Sequence, residues 1–326
     1  MKVIKTIQLA CGQAYLAETA DGQYLELGDV FMSREKALGT RPYAFEDFDR
    51  PADTNKRVMT ICTMSGCPMN CQFCASRRSF KRKLTADELV GQVQFMVEVG
   101  AREHGRDSDP NNAQEFRVLY TRMGEPMLNV DAVIESIYRL IELHPNIIIG
   151  MSTSGIGKGI DAFLKHPEII PHIDMQFSVH STDNNERNML FGNMGSRILS
   201  IEEIAQYIPM WYALSGNKKV SLNVILFDGY SYDFKGLIGR GFNKDQVWLR
   251  LSPWNVIKRD SDKFGGLLKT EDVISKKPVT TEKLKQIIDG IEAAGISYAY
   301  APAIDEEIVN DVACGQALEA FKDEIE

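Results

Sequence analysis

The run Gly66-Cys67-Pro68-Met69-Asn70-Cys71-Gln72-Phe73-Cys74 spaces three cysteines as C-x3-C-x2-C, with an aromatic residue directly before the last. Soft thiolates select iron–sulfur clusters and zinc. A loop this tight wraps one small cluster at little cost in loop closure. Three thiolates hold three irons of a [4Fe-4S] cluster and leave the fourth open to an outside ligand, so the triad points to chemistry as well as to a metal. A structural zinc site is the alternative, but it normally closes four ligands in two pairs, and no second pair stands nearby. A disulfide framework fits poorly with six cysteines in 326 residues and no secretory leader.

Downstream of the loop, Thr85 and Glu88 form a capping box, and Leu89, Val93, Met96 and Val97 share one helical face. Strands and helices then alternate. Strands are predicted at 116–120, 147–151, 173–179, 220–227, 247–251 and 296–300, and helices at 131–143, 159–165, 201–214, 234–238 and 281–294. Such alternation builds parallel βα units. About six units fit after Arg57, too few for a closed eight-unit barrel, so the expected fold is α/β, a partial (β/α)6 barrel. Upstream, residues 4–30 read as short strands around an Asp21-Gly22 turn, a small N-terminal β cap. The predicted division is 1–56 for this extension and its loop, 57–302 for the barrel and 303–326 for a C-terminal segment. Residues 258–277 read as a charged surface excursion.

Hydrophobic residues make up 44% and the net charge is −8. No apolar run nears the ~20 residues that cross a bilayer, and Met1 to Ala10 is too mixed for a signal peptide. The cytoplasm is the expected address, and its reducing conditions suit such a cluster. The acidic balance argues against broad, nonspecific adhesion to nucleic acid. A local basic patch, Arg77, Arg78, Lys81, Arg82 and Lys83 around Phe80, suits phosphates and a stacked base, or is a solvated loop.

Polar residues gather where strands end, the position at which such barrels carry chemistry. Met123-Gly124-Glu125-Pro126 follows one strand, where Glu125 can bind an ammonium and Gly124 admits close backbone approach; a bare turn is the alternative. Ser152-Thr153-Ser154-Gly155 can bind a ribose or carboxylate, or cap the next helix. Ser178-Val179-His180 ends a further strand, and a lone histidine there is more often structural than a ligand or base. Asn255, in Pro253-Trp254-Asn255, binds a nucleoside or shapes a turn. Cys62 and Cys314 are buried filler or a redox or covalent pair.

Taken in order, these marks resemble the RlmN/Cfr family of radical S-adenosylmethionine (SAM) RNA adenosine methylases. The resemblance covers 21–316 and rests on the triad, Met123-Gly124-Glu125-Pro126-Met127-Leu128-Asn129, Ser152-Thr153-Ser154-Gly155, Ser178-Val179-His180, Pro253-Trp254-Asn255 and Ala313-Cys314-Gly315-Gln316. It implies a [4Fe-4S] cluster on Cys67, Cys71 and Cys74 whose open iron takes SAM. It further implies SAM contacts from Gly124, Glu125, Ser152, Ser178, Val179, His180 and Asn255. Cys314 would carry the methyl group, Cys62 would resolve it, and Glu26 would accept a proton. Adenine C2 and C8 are electrophilic, so a methyl cation cannot be transferred to them directly. In the family's scheme, one SAM methylates Cys314 and a radical derived from a second SAM activates that methyl group. The carbon radical joins the base, and Cys62 then releases the product by forming a disulfide with Cys314.

The implied partners are ribosomal or transfer RNA and an electron donor such as flavodoxin or ferredoxin. Departures are Arg122 where the family has glycine, a shortened Cys62–Cys67 interval and the acidic run Asp305-Glu306-Glu307. Two alternatives stand beside this reading: a radical SAM enzyme for a small molecule or peptide, and a noncatalytic metal-binding module.

Overall fold

Consecutive parallel strands joined by right-handed crossovers place their helices on one side of a sheet and leave the other side to the ends of the strands and their loops. The computed structural model of the chain, which describes residues 1–9, 12–32, 56–77, 79–104, 109–254 and 279–300, joins its parallel strands through helical connections. Three strands, β1 (Lys2–Leu9), β2 (Gly12–Glu18) and β3 (Tyr24–Met32), run antiparallel. The β2–β3 turn closes where Asp21-Gly22 was expected, with Gly22 at a φ of 78° and Thr19 accepting from the Gln23 N–H at 2.9 Å.

The third strand pairs antiparallel with β4 (Lys56–Ile61), so the N-terminal strands extend the main sheet by its edge. A two-residue hairpin follows, β5 (Met64–Ser65) and β6 (Arg82–Lys83), outside the main sheet. From β4 onward every pairing in the main sheet is parallel: β7 (Glu115–Tyr120), β8 (Ile148–Thr153), β9 (Ile173–Ser178), β10 (Val220–Leu226), β11 (Val247–Pro253) and β12 (Ser297–Tyr300). Spatial order equals chain order from β1 to β4 and from β7 to β12. Six crossovers therefore link seven parallel strands in an α/β partial barrel.

The helices are α1 (Ala86–His104), α2 (Val130–Leu143), α3 (Gly157–Phe163), α4 (Asn184–Leu190), α5 (Ile201–Leu214), α6 (Phe234–Gly239) and α7 (Thr281–Ala294). The expected capping box starts α1, with Thr85 N–H donating to Glu88 Oε2 at 2.9 Å and Glu88 N–H to Thr85 Oγ1 at 3.3 Å. A second box, Ser200 with Glu203, starts α5. Helix α2 buries Val133, Ile134, Ile137 and Leu140, one face at the expected spacing. Under α1, Arg57 grips Asp29 by two hydrogen bonds of 3.1 and 2.9 Å, and both are buried.

Among the described residues no helix is long and apolar enough to cross a membrane. Helix α4 and the β5–β6 hairpin were not predicted. The expected excursion at 258–277 and the segment 303–326 lie outside the described residues.

Candidate active site

The cysteine loop hangs from the β5–β6 stem. Lys81 N–H donates to Ser65 O at 2.9 Å, and the Asn129 amide donates to Thr63 O and Leu84 O at 2.9 and 2.8 Å, which ties the stem to the start of α2. Arg82 holds it from outside, donating to Asp21 at 2.7 and 2.6 Å and to Glu88 at 2.9 and 2.7 Å. Gly66 turns the chain at a φ of 69°, where an added Cβ would run into the Ser79 carbonyl. Of the expected basic patch, Arg82 is thus drawn into the stem, Phe80 stands 42% exposed, and Arg78 lies outside the described residues.

Cys67 is buried, Cys71 and Cys74 are partly so, and all three are free thiols. Cys74 N–H donates to Cys71 O at 3.2 Å, while α4 holds the loop through Gln72 N–H to Leu190 O at 2.8 Å. Burial, then the neighbouring Cys74, pushes Cys67 up to about 12. Burial raises Cys71 as well, followed by Cys74 and Cys67. Burial and neighbouring sulfurs thus favour the neutral thiol at Cys67 and Cys71, and such thiols lose their protons on binding a metal. Among the described residues no three His, Cys, Asp or Glu side chains form a group that could hold a single metal ion. Three soft sulfurs on one short loop fit a multi-iron cluster, which spreads its thiolates over several metals.

Glu125 follows β7 and is buried. It accepts from Met127 N–H at 3.1 Å, Thr153 Oγ1 at 2.6 Å, Ser154 N–H at 2.8 Å and Ser154 Oγ at 2.7 Å. Burial raises its pKa, opposed by these donors. Four donors fill a carboxylate's usual capacity, and two of them are hydroxyls that can turn away. Gly124 sits at a φ of 103°, and a side chain there would strike Thr63 and Met64. Helix α3 begins at Ile156 with no side-chain cap, so Ser152 and Ser154 do not serve it. Ser152 instead accepts from Gln176 Nε2 at 3.0 Å.

Beyond Ser178, Val179 N–H and His180 N–H both donate to Asn223 O, at 2.9 and 3.3 Å. His180 is fully enclosed at a φ of 61°, and its Nδ1 accepts from Ile225 N–H at 3.1 Å. Burial, then Arg187, lowers its pKa to about 3, so the ring is neutral. It lies edge-on to Phe73 at 4.5 Å and stacks on Phe191 at 5.6 Å. The ring thereby packs against the cysteine loop through Phe73.

The β3–β4 register that pairs Gly28 with Thr60 brings Glu26 opposite Cys62. The Cys62 thiol donates to Glu26 O at 3.1 Å, and Gln92 of α1 brackets its backbone at 2.8 and 3.0 Å. Burial lifts that thiol to about 12, with Glu26 adding to the rise and Arg122 opposing it. Arg122, the departure from the family pattern, donates through Nε to Thr60 Oγ1 at 2.9 Å and leans over Gly28, where a Cβ would meet its Nη2 at 2.9 Å.

The fold thus brings Glu26, Cys62, Gly124, Glu125, Ser152, Ser178 and the cysteine loop to one rim of the sheet. Asn255, Cys314 and Cys11 lie outside the described residues. Sequence reading missed Gln92, Asn129, Thr153 and Arg187. For Thr153 the signal was present, a hydroxyl inside a segment already singled out; the other three depend on tertiary placement.

No protein-family model matches the chain. A relative from Syntrophomonas wolfei, "Probable dual-specificity RNA methyltransferase RlmN", is 30% identical over 293 residues, 82% of this chain and 70% of that one. A second protein of the same description, from Heliobacterium modesticaldum, is 33% identical over 183 residues, 54% of this chain and only 40% of its own length. A third, from Desulfitobacterium hafniense, is 25% identical over 322 residues, 97% of this chain and 78% of the relative. Among solved structures, a radical SAM methyltransferase from Sphaerobacter thermophilus superposes with a TM-score of 0.71 at 22% identity, covering 97% of this chain and 80% of that one. That likeness is one of fold, the radical SAM partial barrel. With three free thiols on a loop at the carboxyl rim of the sheet, the molecule has the fold of the radical SAM class. The extent and level of the Syntrophomonas match go further: the chain belongs to the RlmN family of methyltransferases.

Proposed function

We propose that the chain is a radical SAM RNA methyltransferase that methylates adenine C2 or C8 in ribosomal or transfer RNA through an S-methylcysteine on Cys314. The observation that carries the reading is Cys62. A fourth described cysteine, outside the triad, is held on β4's carboxyl end beside Glu26 and before the cluster loop. A metal-binding module has no use for a thiol at that position.

Cys67, Cys71 and Cys74 would hold a [4Fe-4S] cluster, and Gly124, Glu125, Ser152, Ser178, Val179, His180 and Asn255 would form the SAM subsite. When bound, cluster and SAM supply a carbon-centred radical and an electrophilic methyl group. The protein's part is positioning and exclusion of water. Glu125 takes the SAM ammonium in place of a Thr153 or Ser154 hydroxyl donor. Gly124 lets backbone close on the ligand. His180 acts through shape, keeping the β9 end and Phe73 in register.

Glu26 would take the proton, and the one-electron carrier the single electron, that the radical adduct loses as the base regains its aromatic ring. The Cys62 thiol gives up its own proton, with Arg122 favouring the thiolate, and attacks the Cys314 sulfur. The S–S bond would form as the S–C bond to the base breaks, the released carbon would take up a proton to become the methyl group, and the resulting disulfide would be reduced by an external thiol. Electrons for SAM cleavage come from a flavodoxin or ferredoxin, and the cytoplasm provides both reductants.

The test is anaerobic reconstitution with iron, sulfide, SAM and dithionite, followed by measurement of 5′-deoxyadenosine. Release is expected. Its absence from material with a full cluster would overturn the radical reading, and unchanged RNA nucleoside masses on deleting the gene would overturn RNA as the substrate.

A further inference from the structure

Arg187, in α4, is among the largest side chains wholly removed from solvent, at 1% exposure. Its Nη1 donates to Leu199 O at 2.5 Å, and its Nη2 donates to Ser154 O and, at 3.4 Å, to Ser178 O. Those carbonyls belong to the segment before α5 and to the ends of β8 and β9. The guanidinium carbon lies 5.0 Å from the Phe191 ring centroid. All its hydrogen-bond acceptors are neutral, and among the described residues no carboxylate pairs with it. Its Nε is buried and has no hydrogen-bond partner.

A desolvated cation with only dipoles around it, and one donor unused, is costly to keep. Burial lowers its pKa to about 10, which still leaves it charged at neutral pH. Phe191, whose ring the guanidinium faces, meets Phe73 of the cysteine loop edge-on at 5.5 Å, and Gln72 of that loop donates its N–H to Leu190 O of α4. The cysteine loop is thus packed against the helix that carries this cation.

We propose that Arg187 is a positioning residue that answers the negative charge of the cluster held by Cys67, Cys71 and Cys74, and that the same guanidinium clamps the Ser154 and Ser178 strand ends forming the SAM subsite. Cluster potential and SAM affinity are then coupled through one side chain. This rests on the cluster-and-SAM reading above. A cation near a cluster favours its reduced, more negative state. An arginine fork reaches several carbonyls together, whereas a lysine ammonium keeps the charge and loses the fork.

The experiment compares wild type, R187M and R187K after anaerobic reconstitution. It measures cluster content, midpoint potential by redox titration with electron paramagnetic resonance, and SAM affinity by equilibrium dialysis. R187M is expected to shift the potential to more negative values and to weaken SAM about tenfold, a loss of roughly 1.4 kcal/mol. R187K is expected to keep the wild-type potential while losing a similar factor in SAM affinity. A wild-type potential in R187M, or equal shifts in both variants, would overturn the proposal. Should R187M retain no cluster, R187K decides: unchanged potential with weakened SAM supports the clamp, and any other combination overturns it. A wild-type chain that takes up no cluster would instead sink the proposed function, an outcome visible before either variant is read.

Discussion

At the scale of single residues, the site separates groups that react from groups that hold. Cys71→Ala is expected to abolish the iron–sulfur absorbance and SAM cleavage together, because two thiolates leave the cluster without its third anchor; cluster content by absorbance and iron assay checks this. Cys314 and Cys62 divide differently. Cys314→Ala should keep the cluster and lose methyl transfer, while Cys62→Ala should accumulate a covalent protein–RNA adduct detectable as a gel shift that nuclease removes. A fully active, adduct-free Cys62→Ala enzyme would refute the role assigned to the thiol beside Glu26. His180 is a rim residue whose ring is engaged in packing. It ends a strand at the site's rim, yet its Nδ1 is engaged by Ile225 and its ring is a spacer between Phe73 and Phe191.

At the scale of elements, the cysteine loop depends on its stem. Gly66→Ala would force a side chain into the Ser79 carbonyl at a left-handed turn. A loss of about 1–3 kcal/mol is expected in chemical denaturation, together with poorer cluster retention. The elements legible in the sequence were those that obey a period. Helix α5 begins and ends where 201–214 was read, and α7 where 281–294 was read, because Ser200 and Thr280 cap them and each has a stripe of apolar residues. Strands β7 to β11 were found as apolar runs between turn signals. Helix α4 was not, since Asn184–Leu190 is seven residues long and mostly polar; Asp183, which accepts from Asn185 and Glu186 N–H groups, was its single clue. Its Arg187 was consequently not singled out. The β5–β6 hairpin, with two residues per strand, has too little sequence to show any alternation. Of the candidate site, the triad stood out by its spacing and Glu125 by its place directly after a strand. Gln92 and Asn129 act through backbone groups distant in sequence, and no local pattern marks such contacts.

At the scale of the whole molecule, chemistry and cohesion occupy opposite rims of the sheet. Along the amino-terminal ends runs a ladder of charges from strand to strand. Lys56 of β4 meets Glu115 of β7 at 2.7 Å, and Glu115 also pairs with Arg117. Arg117 reaches Asp174 of β9 at 2.6 Å, and Lys218, just before β10, reaches Asp174 at 3.3 Å. Burial pushes Glu115 up, but Lys56 and then Arg117 outweigh it and hold the carboxyl down at about 2, against an ordinary 4.5. A depressed carboxylate stabilises the fold above its unfolded value and loses that contribution as pH falls through the folded one. Stability is therefore expected to drop between pH 4.5 and 2 by ~1–2 kcal/mol from this group, and Glu115→Gln should flatten that part of a denaturation-versus-pH curve. An unchanged slope in the variant would remove Glu115 from the account. Because the ladder shares no residue with the rim that carries Glu26, Cys62, Glu125 and the cysteine loop, the lower rim is a chassis and the upper rim is cargo. Exchanging rim loops for those of a relative should leave acid tolerance where it is, since every charge of the ladder stays in place.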